Sequence, residues 1–257
     1  MSVTQVDVLK HVLHLQVRLF ACRERLIAGT DTEALHDLRI ALRQLRSLLR
    51  PLRGLPACDE LSEAAAQLGR LSGPVRDLEV LEAHLREVGL NEAADARLAR
   101  LQASYAGLIK SRQMTKLFTV LDQWPQQWRE SGFEDQVQEL SKRVNKCLKK
   151  DRKRLYSALH ELLGDRHRLR LLVKRLRYNI EAYAADTCPD TQIQLKRAQS
   201  ALGDWHDHYQ WLSRAESEVD LQPRIATWRN NMQEAAKRSD EALARLMSDP
   251  LFSAWNG

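Results

Sequence analysis

HDLRIALRQLR, residues 36–46, carries two helical stripes at once. His36, Arg39, Arg43, Arg46 and Arg50 are spaced 3, 4, 3 and 4, which places them along one face of an α-helix. Leu38, Leu42, Leu45 and Leu49, each one residue before an arginine and spaced 4, 3 and 4, occupy an adjacent face. At 1.5 Å rise per residue the charged row is about 21 Å long. The leucines can anchor such a helix in a core, which leaves a continuous line of cations beside it. Like charges at i,i+3 and i,i+4 cost a few tenths of a kcal/mol per pair, so a helix built for stability alone would alternate signs here. Acidic residues on a facing helix could neutralise the row; an anionic ligand is the better account once the pattern is seen twice.

The second copy begins 131 residues later. HRLRLLVKRLR, residues 167–177, repeats the histidine, the arginines and the apolar register, with His167, Arg170, Lys174 and Arg177 on one face and Leu169, Val173, Leu176 and Ile180 on the other. Arg175 lies off this row. A second pair follows downstream of each copy. Gly73, Arg76 and Asp77 of GPVRDLEV match Gly203, His206 and Asp207 of GDWHDHYQ at an offset of 130. Two features repeating in the same order at nearly one offset argue for duplication. The expectation is an all-α chain of two pseudo-symmetric antiparallel helical bundles, residues 1–125 and 131–250, with the basic faces lining a central cleft.

The rest of the chain is consistent with helices. It has 257 residues, only ten glycines and seven prolines, and 44% hydrophobic residues. No alternating strand pattern or hairpin turn is evident. Helices are predicted over about 6–27, 30–50, 59–71, 75–88, 91–121, 134–163, 165–185, 193–202, 206–218 and 223–247. Thr30 with Glu33 and Ser131 with Glu134 have capping-box spacing, and Asp165 is a candidate cap. Gly73-Pro74, Trp124-Pro125, Gly164-Asp165 and 186–189 are predicted breaks.

Charge and chemistry narrow the function. Forty Lys and Arg against 34 Asp and Glu give +6, so distribution matters more than total. Lys142, Lys146, Lys149, Lys150 and Lys153 lie in a run opposed only by Asp151, and could extend an anion path or be a solvated face. Histidines beside several arginines should resist protonation until an anion arrives. Cys22, Cys58, Cys147 and Cys188 form no metal or redox motif, which suits reduced thiols in a cytoplasmic protein. No apolar run is long enough for a bilayer span, and the N-terminus reads as an amphipathic helix instead of a signal peptide. No nucleophile elbow, phosphate loop, kinase set or HExxH motif is present, so no catalytic residue, metal or cofactor is assigned. Asp77 and Asp207 are read as orienting basic side chains, and Trp205 and Trp211 as packing residues.

At these motifs the sequence resembles the CHAD family, the conserved histidine α-helical domains. The resemblance rests on His36 with Arg39, Arg43 and Arg46; on GPVRDLEV; on His167 with Arg170, Lys174, Arg175, Arg177 and Tyr178; and on LGDWHD at 202–207. It implies two basic helical bundles that bind inorganic polyphosphate, in some relatives at polyphosphate granules, without catalysis. Many relatives carry an additional N-terminal triphosphate tunnel domain. With the first motif at residue 36 there is no room for one here, and no triphosphatase activity is expected. The rival readings are a nucleic-acid binder, a metal-dependent phosphohydrolase or phosphotransferase, and a scaffold for acidic proteins. Oligomeric state cannot be read from the sequence.

Overall fold

The computed structural model describes residues 7–133, 136–161, 165–184, 189–249 and 252. Among them the regular structure is entirely helical: α1 (Val8–Ala28), α2 (Ala34–Leu49), α3 (Pro56–Glu87), α4 (Asn91–Ile109), α5 (Arg112–Glu130), α6 (Val137–His160), α7 (Arg166–Tyr183), α8 (Pro189–Ala215) and α9 (Ile225–Met247), with 3₁₀ turns at Arg50–Leu52 and Val219–Arg224. The chain divides into two compact units that part within α6, between Val144 and Asn145. In the N-terminal unit α2 packs on α1 and α3, and α3 also packs on α4 and α5. In the C-terminal unit α8 packs against α7 and α9. No helix of the described residues is long and apolar enough to cross a membrane.

The leucine stripes do what their spacing requires. Leu38, Leu42, Leu45 and Leu49 are buried on α2, and Leu169, Val173, Leu176 and Ile180 on α7. A fully buried side chain of this kind contributes about 1.5–3 kcal/mol, far more than the repulsion along either charged row costs. Aromatic packing supports both units. Trp124 stacks on Trp128 with ring centres 5.2 Å apart, and Trp211 meets Trp228 at 5.5 Å.

Several predicted breaks are absent. Pro74 lies inside α3 and Pro125 inside α5. A proline removes one backbone hydrogen bond and costs a helix interior about 3 kcal/mol. Buried residues on both sides outweigh that: Leu68, Ser72, Val75 and Leu78 around the first, Leu121, Trp124 and Trp128 around the second. Gly203 likewise lies inside α8, where a glycine costs only about 1 kcal/mol relative to alanine. A break that was not predicted falls at 110–111. There Ser111 caps α5, its hydroxyl accepting from the Met114 amide at 3.2 Å and donating to the Leu108 carbonyl at 2.7 Å.

The first capping box does not form as expected. Asp31, held by Arg25 at 2.7 Å, accepts from the Glu33 amide, and α2 starts one turn later than Thr30 would place it. Ser131 closes α5 by donating to the Trp128 carbonyl; Glu134 lies outside the described residues. Asp165 does cap α7, accepting from the Arg168 amide at 2.8 Å. Gly164, Cys188 and the predicted break over 186–188 also lie outside the described residues. Replacing Ser111 by Ala should lower stability by about 1 kcal/mol, measured as a lower urea midpoint with unchanged slope.

Candidate functional site

In the N-terminal unit the row on α2 is seated against α3. Arg39 crosses between the helices: its guanidinium donates to the Gly69 carbonyl and the Ser72 hydroxyl, both at 2.9 Å. Gly73 lies beside it, where even a Cβ would make only ordinary van der Waals contact with Arg39 Nη1, at 3.7 Å. Arg39 therefore also ties the two helices together beside the Pro74 irregularity. His36, Arg39, Arg43 and Arg50 are half-buried and Arg46 is exposed. Arg76 joins the cluster from α3 and pairs with Glu79, a buried carboxylate that also accepts from the Tyr105 hydroxyl. Burial, then the nearby charges of Arg76 and Arg43, hold the His36 imidazole below the usual histidine range despite Glu33 and Asp37.

The C-terminal unit repeats the arrangement with a different partner residue. His167, Arg170 and Lys174 on α7 face His206 on α8, and the two imidazole rings lie 5.4 Å apart. His206 is pushed down to about 4 by burial, with Arg170, His167 and Lys174 adding to it. Its Nδ1 is buried without a hydrogen-bond partner among the described residues. The positions that match in sequence thus meet in both units, His36 with Arg76 and His167 with His206. Each unit has an imidazole kept neutral beside guanidinium or ammonium groups. Such a cluster can accept an anion and take up a proton with it.

Not every expected residue joins these clusters. Arg177 is held by Glu181 and by Gln199 at 2.7 Å, which fixes it at the far end of the α7 row. Lys150, Lys153 and Arg175 gather with Arg154 and Arg168 along a groove between α6 and α7, apart from the His206 cluster. Lys142, Lys146 and Lys149 are exposed on α6. The single acid of that run, Asp151, is buried and accepts from the Asn179 amide group. Asp77 is exposed, and Glu79 is the carboxylate that orients Arg76. That role was missed in the sequence, although its i+3 spacing from Arg76 was a visible signal. Trp211 is a packing residue, but Trp205 is not buried: it stacks at 5.4 Å on Tyr209, which is half-exposed.

Among the described residues no group of three or more His, Cys, Asp or Glu side chains is gathered to hold a metal ion. Because the folded state disfavours protonation of His206, the unfolded chain binds the extra proton between pH 6.5 and about 4. This contribution to stability is complete above that window and declines as pH falls through it. Proton NMR should show the His206 ring titrating near the bottom of the window, and R170Q/K174Q should raise its midpoint.

A search among curated proteins finds no match. The chain is similar to a crystal structure of the CHAD domain from the plant Ricinus communis, at 20% identity and a TM-score of 0.65, covering 97% of this chain and 90% of that one. That likeness concerns the fold. The description of the CHAD domain family matches residues 11–216, most of the chain and both copies of the histidine-arginine motif. This chain therefore belongs to the CHAD domain family.

Proposed function

We propose that this chain binds inorganic polyphosphate without cleaving it, through the basic rows of α2 and α7. The observation that carries the reading is the recurrence, in two separate units, of a cationic row beside an imidazole held neutral by its surroundings. We attribute the recurrence to internal duplication. Phosphate oxygens suit both kinds of group. Guanidinium offers directed and often bidentate donors, lysine a compact charge. An arriving phosphate chain also favours protonation of His36 and His206, which turns each ring into a further donor. Arg43, Arg46, Arg170 and Lys174 are the principal contacts, with His36, His167 and His206 assisting. Arg39, Arg76 and Arg177 set the geometry through Ser72, Glu79 and Glu181. A cytoplasmic protein with this property would associate with polyphosphate granules through its ligand.

One observation favours a second reading. Trp205 and Tyr209 form a stacked, partly exposed pair beside His206, and nucleic-acid binders use aromatic platforms next to a basic track. Against it stands the bare geometry of the α2 row, which has no aromatic neighbour of this kind among the described contacts. Competition separates the two. Polyphosphate should displace single-stranded RNA of matched charge at far lower concentration than the reverse, and affinity for polyphosphate should fall linearly in log–log form as salt rises. RNA binding that survives excess polyphosphate, and weakens in W205A/Y209A, would favour the second reading.

A further inference from the structure

The two copies of the motif match along the basic row but differ on the opposite flank of the helix. With about 100° per residue and the histidine as origin, the rows of both helices fall near 280–360° and the buried stripes near 180–240°. A further flank, near 80–140°, holds Asp37, Ala41, Gln44 and Leu48 on α2, of which Ala41 and Leu48 are buried. The corresponding positions on α7, 131 residues on, are Arg168, Leu172, Arg175 and the buried Asn179.

What faces each flank makes the difference physical. On α2 it meets complementary groups from α1: Arg25 pairs with Asp37 and Arg18 donates to Gln44, each at 2.8 Å. On α7 it meets Lys150, Lys153 and Arg154 of α6, so cations confront cations. The only acid within the α6 run, Asp151, is turned into the core. Glu161 reaches Arg168 at 2.9 Å. Among the described residues Lys150, Lys153, Arg154 and Arg175 make no ion pair or side-chain hydrogen bond. The space between them is a groove of roughly 570 Å³ with Ser157 and Leu172 in its wall. That size is typical of small-molecule sites, which are about 300–1,000 Å³, but the lining is cationic instead of apolar.

We infer that the α6–α7 groove is a second anion site of the C-terminal unit, separate from the α7–α8 cluster, and that it takes a short oligophosphate or one segment of a longer chain. A structural purpose for the flank would produce charge pairing, as on α2. Like charges facing one another across an open groove are instead relieved by a multivalent anion, which can engage lysines and an arginine of α6 and arginines of α7 at once. The inference rests on the polyphosphate reading only for the identity of the long ligand. The groove itself is defined by its own residues, and two sites on one helix would strengthen binding of chains long enough to reach both.

The test uses the whole chain and inorganic tripolyphosphate as probe, with calorimetry and thermal melting. K150Q/K153Q/R175Q should lose one binding site per chain and leave the remaining sites unchanged in affinity. Without the probe this variant should melt higher than the wild type, because repulsion has been removed; a purely structural groove would make it melt lower. R170Q/K174Q should retain the groove site. Unchanged stoichiometry in the groove variant, or no tripolyphosphate binding by the wild type, would overturn the inference. Loss in the groove variant with full binding in the row variant would uphold it while removing α7–α8 from the polyphosphate reading.

Discussion

Burial of one leucine stripe per motif helix determines where every cation of the site can be. Once Leu38, Leu42, Leu45 and Leu49 are committed to the core, the helix has no rotational freedom left, and His36, Arg39, Arg43 and Arg46 must lie along its flank. The same holds for α7 through Leu169, Val173, Leu176 and Ile180. Apolar burial of several kcal/mol per helix overrides row repulsion of tenths per pair. The fold can therefore hold charge in a configuration that charge alone would not choose. In the proposed function, an anion relieves this mismatch.

The matched histidines extend that logic. An imidazole among guanidinium groups is kept neutral for two reasons acting together, burial and like charge, as at His36 and His206. Both reasons weaken when a polyanion enters, since the local field changes sign. In the proposed function, anion capture and proton uptake are linked by the same geometry. The two units reach this state with different residues, Arg76 facing His36 in one and His206 facing His167 in the other, so the shared property is the electrostatic environment and not a fixed set of side chains.

Periodicity made the helical class and the buried stripes legible before any coordinates. It could not resolve boundaries where local and tertiary preferences compete. Pro74 and Pro125 looked like breaks because a missing amide is visible in sequence, whereas the packing of Val75, Leu78, Trp124 and Trp128 that carries the helices through is not. Ser111 was overlooked because its capping depends on where the preceding helix happens to end. The basic residues divide in the same way. Row membership followed from spacing, but the pinning of Arg39 by Gly69 and Ser72, and of Arg177 by Glu181, depends on neighbours distant in sequence or on rotamer choice. The α6 lysines were visible as a run; only the inward turn of Asp151 and the approach of Arg168 and Arg175 give that run a groove.

The central claim is that the two buried-stripe helices present their rows to a phosphate chain. Its most direct test is calorimetry of long-chain polyphosphate binding at about 0.15 M salt, where screening beyond about 8 Å removes diffuse attraction, comparing the wild type with R43Q/R46Q/R170Q/K174Q. These four substitutions avoid Arg39 and its tie to α3, and circular dichroism checks that the fold is retained. The account predicts tight binding by the wild type and a loss in the variant well beyond what its reduced net charge explains, judged against a control, K10Q/R100Q/K110Q/R229Q, that removes four exposed cations away from both rows and from the α6–α7 groove. Equal affinity in the row variant and the control would contradict it.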